Sequence, residues 1–299
     1  MSDLPASERC STRSLERAEP VLGTASTVRR WLLLEQPGPW DQTALESRRL
    51  PTGLGAELAR RANRDRIRIV LIRRPGRSVA GAPACFVART RPTGSWLGRV
   101  SLTATADVLD LDLDAVVDGR SPDAATVSGP LFCVCTHGRH DPCCAERGRP
   151  VAAALSAELP EQTWEISHIG GDRFAGNVVC LPDGDYLGRV TAAEATDIAR
   201  SYLDGDYVLD TLRGRSCYPP SAQAADVLVR QRLGVTRRDA VRISGVERGD
   251  SLATVRMFVV GHGDLTATVR TGAARPPRML TCTATVATAP PTYELVDLG

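Results

Sequence analysis

The sequence predicts an α/β protein built from two similar blocks followed by a smaller α+β unit. Three observations predict it. Apolar runs of strand length alternate with helical patterns, the same order of elements occurs twice, and period-two alternation takes over after about residue 214. At 299 residues and 42% apolar, the chain can bury a core of that size.

Residues 1 to about 20 are polar and lack apolar periodicity, so a flexible tail is expected there. Residues 27–35 contain Trp31-Leu-Leu-Leu34, a buried-strand run stopped by Pro37-Gly38-Pro39. Residues 54–63 place Leu54, Leu58 and Ala62 on one helical face. Residues 67–72 form a strand ended by Arg74-Pro75-Gly76. Residues 85–88 and 96–100 read as a hairpin-like pair, and 105–117 as an acidic stretch, helical or irregular.

The second block repeats this order. Residues 129–135 are a strand, and 150–159 a helix with Pro150 in its first turn, where a missing N–H costs nothing. Residues 163–167 are a strand. Residues 177–181 and 186–190 pair around the Asp183-Gly184 turn. A capping box at 191–194 opens a helix carrying Ile198, Tyr202 and Leu203.

The blocks share one literal word, Leu97-Gly-Arg-Val100 and Leu187-Gly-Arg-Val190. The order β-α-β, then β-β-α, is that of a thioredoxin-like unit. Two such repeats are therefore expected, a degenerate one over 21–122 and a second over 123–212, with a C-terminal α+β accessory domain over 213–299. In that last domain 221–232 reads as a helix, and 240–243, 253–260, 265–270 and 281–286 as strands of a small antiparallel sheet. It shows no chemistry, and an accessory or oligomerisation role is expected.

Composition narrows the function. All 37 basic residues are arginine, scattered and nearly balanced by 35 acids, so no nucleic-acid footprint is present. No apolar run approaches the roughly 18–20 residues of a membrane span, and the N-terminus lacks the pattern of a secretory signal. A cytoplasmic protein without membrane or nucleic-acid partners is expected.

The nine cysteines carry the chemistry. Their number is odd, and Cys133, Cys135, Cys143 and Cys144 fall within twelve residues, a pattern of metal or redox chemistry rather than of disulfide staples. The segment C-T-H-G-R-H-D-P-C-C at 135–144 joins a strand end to a helix start, which brings thiols near helix-terminal N–H groups. The strand at 163–167 delivers His168-Ile-Gly-Gly-Asp172. In a thioredoxin-like unit the loops after the first and second strands lie side by side, so Cys135, Cys144, His168 and Asp172 can converge. The glycine pair would let backbone come close to that point. Cys85, Cys180 and Cys282 are expected as buried thiols in strands, and Cys10 as an exposed tail thiol. Cys133 is expected to alternate with Cys135 along its strand, so that one of the two faces the core, and Cys133 is taken as that one. His137 and His140 read as solvent-exposed loop residues, with a ligand or proton-coupled role open. His262, in a G-H-G turn, reads as structural. The first block has no cysteine or histidine at the matching loops. Q-P-G-P-W stands where C-T-H-G-R stands, and R-R-P-G-R near H-I-G-G-D. That block is expected to be scaffold or docking surface.

Together, C-T-H-G-R-H-D-P-C-C at 135–144, W-E-I-S-H-I-G-G-D-R-F-A at 164–175, Y-L-G-R-V at 186–190 and R-G-R-S-C-Y-P-P at 213–220 resemble the sucrase/ferredoxin-like family, a branch of the thioredoxin-like [2Fe–2S] ferredoxins. The resemblance extends to W-L-L-L-E-Q-P-G-P-W at 31–40. It implies an electron-transfer protein with one [2Fe–2S] cluster and an unknown redox partner protein. The family pattern of two cysteines nine apart and an H-x-x-x-H pair falls on Cys135, Cys144, His168 and position 172. Asp172 departs from that pattern, and Cys143, Cys133, His137, His140 and Cys180 are the alternatives for the fourth ligand. The word sucrase implies nothing for this chain, which shows no paired-carboxylate signature of a glycosidase. A zinc site on the same loop and a dithiol redox site are the competing readings. The dithiol reading lacks the C-x-x-C spacing. A homodimer is one arrangement open to the chain.

Overall fold

The computed structural model describes residues 5–76, 81–117, 120 and 124–299. The expected boundary between the two blocks falls largely on residues outside this set. So do residues 1–4 of the expected tail and Arg77, the last residue of R-R-P-G-R.

The described part of the expected tail has regular structure. Cys10–Glu16 form helix α1, with Cys10, Ser11 and Ser14 buried. Periodicity misses it because this short helix buries the small side chains of Cys and Ser rather than an apolar stripe.

The first block runs β1 (Arg30–Glu35), α2 (Leu54–Asp65), β2 (Arg68–Arg73), β3 (Cys85–Arg89), β4 (Trp96–Val100), α3 (Leu113–Val117) and β5 (Ala125–Thr126). The second runs β6 (Leu131–Cys135), α4 (Pro142–Glu158), β7 (Thr163–Ile166), β8 (Val178–Leu181), β9 (Asp185–Leu187), α5 (Ala195–Leu203) and β10 (Leu212–Arg215). All ten strands form one mixed sheet in the order β10-β9-β8-β6-β7-β2-β1-β3-β4-β5. Read outward from its centre, each half has its second, first, third, fourth and fifth strand in turn. The first two strands of each half are parallel and the other neighbours antiparallel. The halves meet where β2 pairs antiparallel with β7, Ile72 opposite Ile166 and Arg73 opposite Glu165. They are therefore one sheet rather than two separate ones.

The runs of four buried residues in β1 and β2 and of five in β6 follow from coverage on both faces. On one face α2 packs Leu54 and Leu58 over the first half, and α4 and α5 pack Val151, Leu155, Ile198 and Tyr202 over the second. The other face curls inward and closes on itself. There Phe86 meets Trp164 with ring centroids 5.5 Å apart, and Trp31 meets Tyr186 at 6.4 Å.

The shared tetrapeptide falls at the fourth strand of each half but does not keep one conformation. Leu97–Val100 lies wholly in β4, whereas after Leu187 the chain leaves β9 and Arg189 adopts φ 59°.

A separate sheet of four antiparallel strands follows, β11 (Val241–Arg248), β12 (Leu252–Val259), β13 (Gly263–Ala273) and β14 (Pro291–Leu298). Helix α6 (Pro220–Leu233) covers one face, with Ala222, Ala225 and Val229 against Val255, Met257 and Val269. The last strand is not the expected 281–286. Two segments compete for the edge of β13, and the later one brings Tyr293, Leu295 and Leu298 to the core, whereas Val286 is 71% exposed. Cys282 thus lies in a long connection, not in a strand.

Candidate metal centre

Helix α4 starts eight residues earlier than its apolar pattern predicts. Asp141 is its N-cap, its carboxylate accepting the backbone N–H of Cys143 at 2.9 Å, and Pro142 occupies the first position. Pro150 is an interior residue of the helix. Cys143 and Cys144 therefore sit on the first helical turn, where the positive end of the helix favours thiolate. Consecutive helical residues are rotated by about 100°, and the two thiols point to different places.

Cys144 points to the end of β6. The donor atoms of Cys135, Cys144 and His168 all lie within 4.8 Å of one another, and those of His140, His168 and Asp172 form an overlapping group. The Cys144 thiol donates to Asp172 Oδ1 at 3.1 Å. His168 Nδ1 stands 3.0 Å from the same oxygen, yet it is misaligned for a hydrogen bond and is a buried nitrogen without a hydrogen-bond partner. The four residues read from the sequence are thus brought together.

Their electrostatics follow from this crowding. The adjacent Cys144 thiol holds Cys135 well below the usual thiol range, and His168 adds to the effect. The same contact, with burial, pushes Cys144 up. Burial opposes charge on His168, but Asp172 and Cys135 outweigh it and raise the imidazole to about 9. Burial likewise works against ionised Asp172, and the His168 imidazole overcomes it to hold the carboxyl below its ordinary value.

The alternative ligands separate cleanly. His137 is buried, not solvent-exposed, and both ring nitrogens are in use. Nδ1 accepts the His168 backbone N–H at 3.2 Å, and Nε2 donates to the Asp41 carbonyl oxygen at 2.7 Å. Cys180 faces the opposite side of the sheet, against α4 and α5. Cys133 and Cys135 do not alternate, because residues two apart in a strand share a face. Both are buried on it, and desolvation pushes the Cys133 thiol to about 12. Cys143 is turned away, towards Cys10 and Cys282. His140 remains adjacent. Its ring stacks on His168 at 3.6 Å, and its Nε2 is 3.9 Å from Asp172 Oδ2.

The centre is held by both halves of the sheet. Arg68 donates to the His168 carbonyl at 2.8 Å, and Ser167 and Leu71 exchange bonds of 3.0 and 2.8 Å. Glu165 of β7 takes Arg73 of β2 and the Thr136 hydroxyl. The first-half loop matching the cysteine loop carries Trp40, whose ring meets His137 edge-on at 5.7 Å, and Asp41, which also pairs with Arg139. A cleft of about 680 Å³ opens between residues 42–59 and the rings of His137, His140 and His168.

Sequence reasoning missed two supports. Buried Arg213 donates to the Gly170 carbonyl at 2.9 Å and to Asn177 Oδ1 at 2.8 Å, fixing the loop of His168 and Asp172. Gly171, at φ 84°, leaves the space that this guanidinium fills, while a Cβ on Gly170, at φ 95°, would meet Ser26 Oγ. The segment containing Arg213 stood out in the sequence, without its role. Gly148 of α4 was not noticed. A Cβ there would run into the Cys135 carbonyl oxygen, so glycine lets the helix seat against β6.

Among the described residues, no helix is long and apolar enough to cross a membrane. No curated protein and no solved structure matches the chain. A family model described as sucrase/ferredoxin-like matches residues 21–214, the span that holds the ten-stranded sheet and all four converging residues, and the chain belongs to that family.

Proposed function

We propose that the protein is an electron carrier of ferredoxin type, binding one [2Fe–2S] cluster through Cys135, Cys144, His168 and Asp172 in the second of two thioredoxin-like halves. One observation carries this reading. Two thiols, an imidazole and a carboxylate converge at the seam of the sheet, and the buried imidazole Nδ1 aimed at them has no hydrogen-bond partner. A cluster bound there supplies one-electron transfer, and a neutral imidazole in place of a thiolate lowers the negative charge of the centre and raises its potential.

The chain's own residues supply the rest. The first turn of α4 presents Cys144 to Cys135 and Asp172. Arg213 and Arg68 hold the His168 loop from two sides. The His140 ring, stacked on His168 and one-third exposed, leads from the centre to the cleft, where a partner protein would dock. The first half, over 21–122, acts as a wall without a centre of its own, and 213–299 as an accessory unit. The carrier works in the cytoplasm and is not a sucrase.

A second reading, one zinc ion on the same residues, is favoured by compactness, since three donor atoms within 4.8 Å of one another suit a single ion. The visible spectrum of anaerobically purified protein, with iron and acid-labile sulfide analysis, separates the two. Sulfide-to-iron charge-transfer bands with two irons and two sulfides per chain are expected. Colourless protein holding zinc at these residues would replace the first reading by the second. Metal-free protein with a Cys135–Cys144 disulfide would favour dithiol chemistry instead.

A further inference from the structure

On the other side of the α4 turn a second group of donors gathers. Cys10 in α1, Asp141 and Cys143 at the start of α4, and Cys282 in the β13–β14 connection place their donor atoms all within 4.8 Å of one another. Cys143 Sγ lies 3.5 Å from Cys10 Sγ and 3.4 Å from Cys282 Sγ. Asp141 Oδ2 lies 3.7 Å from Cys10 Sγ. The Asp141 carboxylate is fully buried and fixed by the backbone N–H groups of Cys143 and Cys282, the latter at 2.7 Å. Cys10 and Cys143 are buried, and Cys282 is partly so. The expected exposed tail thiol and the expected strand thiol are both members of this group.

The chain departs from regular structure to build it. Residues 274–290 connect two neighbouring antiparallel strands, a task that commonly takes two to five residues. Instead they reach back to α4 and α1, and Arg278 of the same connection pairs with Glu19 at 3.3 Å. Three thiols gathered on a buried carboxylate bury little apolar surface, and two backbone N–H groups oppose its charge with dipoles rather than with a cation, so the donor set suits a bound cation.

We propose that Cys10, Asp141, Cys143 and Cys282 form a second metal site, which takes one zinc ion in tetrahedral coordination. Thiolate-rich donor sets select soft or borderline ions. Tetrahedral Zn–S bonds of about 2.3 Å set sulfurs about 3.8 Å apart. The observed separations are close to this and leave room for one ion only. Four protein donors close the coordination shell, so the site is structural. Binding releases the thiol protons to solvent and pins the N-terminal helix and the C-terminal unit to α4, closing a span of 272 residues. Cys10 and Cys282 both lie outside residues 21–214, so the site belongs to this chain's flanking segments rather than to the matched region.

The test is elemental analysis of full-length protein from zinc-supplemented cells, read beside the visible spectrum. Cys10→Ser and Cys282→Ser should each lose about one equivalent of zinc with the spectrum unchanged. Cys144→Ser should alter the spectrum and keep that zinc, so failure of this site and failure of the proposed redox centre are distinguishable. In the intact protein, iodoacetamide should modify Cys282 only after a chelator has removed the zinc, a readout that needs no variant. Unchanged zinc content in the Cys10→Ser/Cys282→Ser double variant would overturn the site. So would immediate alkylation of Cys282 in the untreated protein, or a disulfide among the three cysteines.

Discussion

The backbone carbonyl of Asp41 accepts the Nε2–H of His137 at 2.7 Å, so a residue of the first half fixes a ring of the second. The other ring nitrogen accepts the His168 N–H, and the position of the candidate ligand passes through His137 to the opposite half.

Replacing His137 by Phe keeps the ring volume and leaves the Asp41 carbonyl and the His168 N–H unpaired. Each buried unsatisfied group costs about 1–3 kcal/mol. The variant should melt several degrees lower, still bind the metal centre, and surrender it faster to a chelator. Calorimetry and chelation kinetics measure both. An unchanged release rate would show that His137 positions nothing.

Replacing His168 by Cys should keep a coloured centre and lower its reduction potential, because a thiolate adds the negative charge that an imidazole does not. Voltammetry of both proteins measures the difference. A potential that stays put with the centre still bound removes His168 from the ligands.

In metal-free protein the His168 imidazole is raised from 6.5 to about 9 by Asp172 and Cys135 against the opposing effect of burial. A value raised on folding stabilises the native state fully below pH 6.5, and that contribution is lost as pH rises through about 9. The melting temperature of chelator-treated protein should therefore carry a downward component across that window, absent in His168→Gln. Metal uptake should run the opposite way and strengthen with pH, since protons and metal compete for the same nitrogen. Parallel pH profiles of the two proteins would disprove the assignment.

A methyl group at position 148 would meet the Cys135 carbonyl oxygen, which belongs to backbone and cannot step aside cheaply. Gly148→Ala should destabilise the protein by about 1–3 kcal/mol and reduce metal content, although alanine is the better helix former. Denaturant titration tests this, and a stability gain would mean that α4 does not seat as described.

The elements whose side chains make a periodic pattern were legible in the sequence. Strands β1, β2 and β6 show as apolar runs, and α2 through Leu54 and Leu58. The convergence of Cys135, Cys144, His168 and Asp172 was legible from element order alone, because it depends on which loops become neighbours. What failed was set by single polar contacts. The start of α4 depends on one Asp141 cap, and α1 buries only Cys and Ser. The fate of 281–286 was decided by competition with a strand that buries larger residues. The pairing of Cys10 and Cys282 with Cys143 spans 272 residues, and no local pattern encodes contact at such separation.

The pairing of β2 with β7 has a consequence for what the halves are to each other. Each strand sits at the same place in its own half, next to that half's first strand, and they meet antiparallel. The same patch facing itself in opposite directions is the geometry of a two-fold dimer interface. The two halves meet at this joint as two protomers would, within one chain. Cut free, residues 131–215 would present β7, with its buried Trp164 and Ile166, as a bare strand edge. Such a fragment would pair with a second copy of itself through β7, restoring the joint with two cysteine loops and no Asp41 to anchor either.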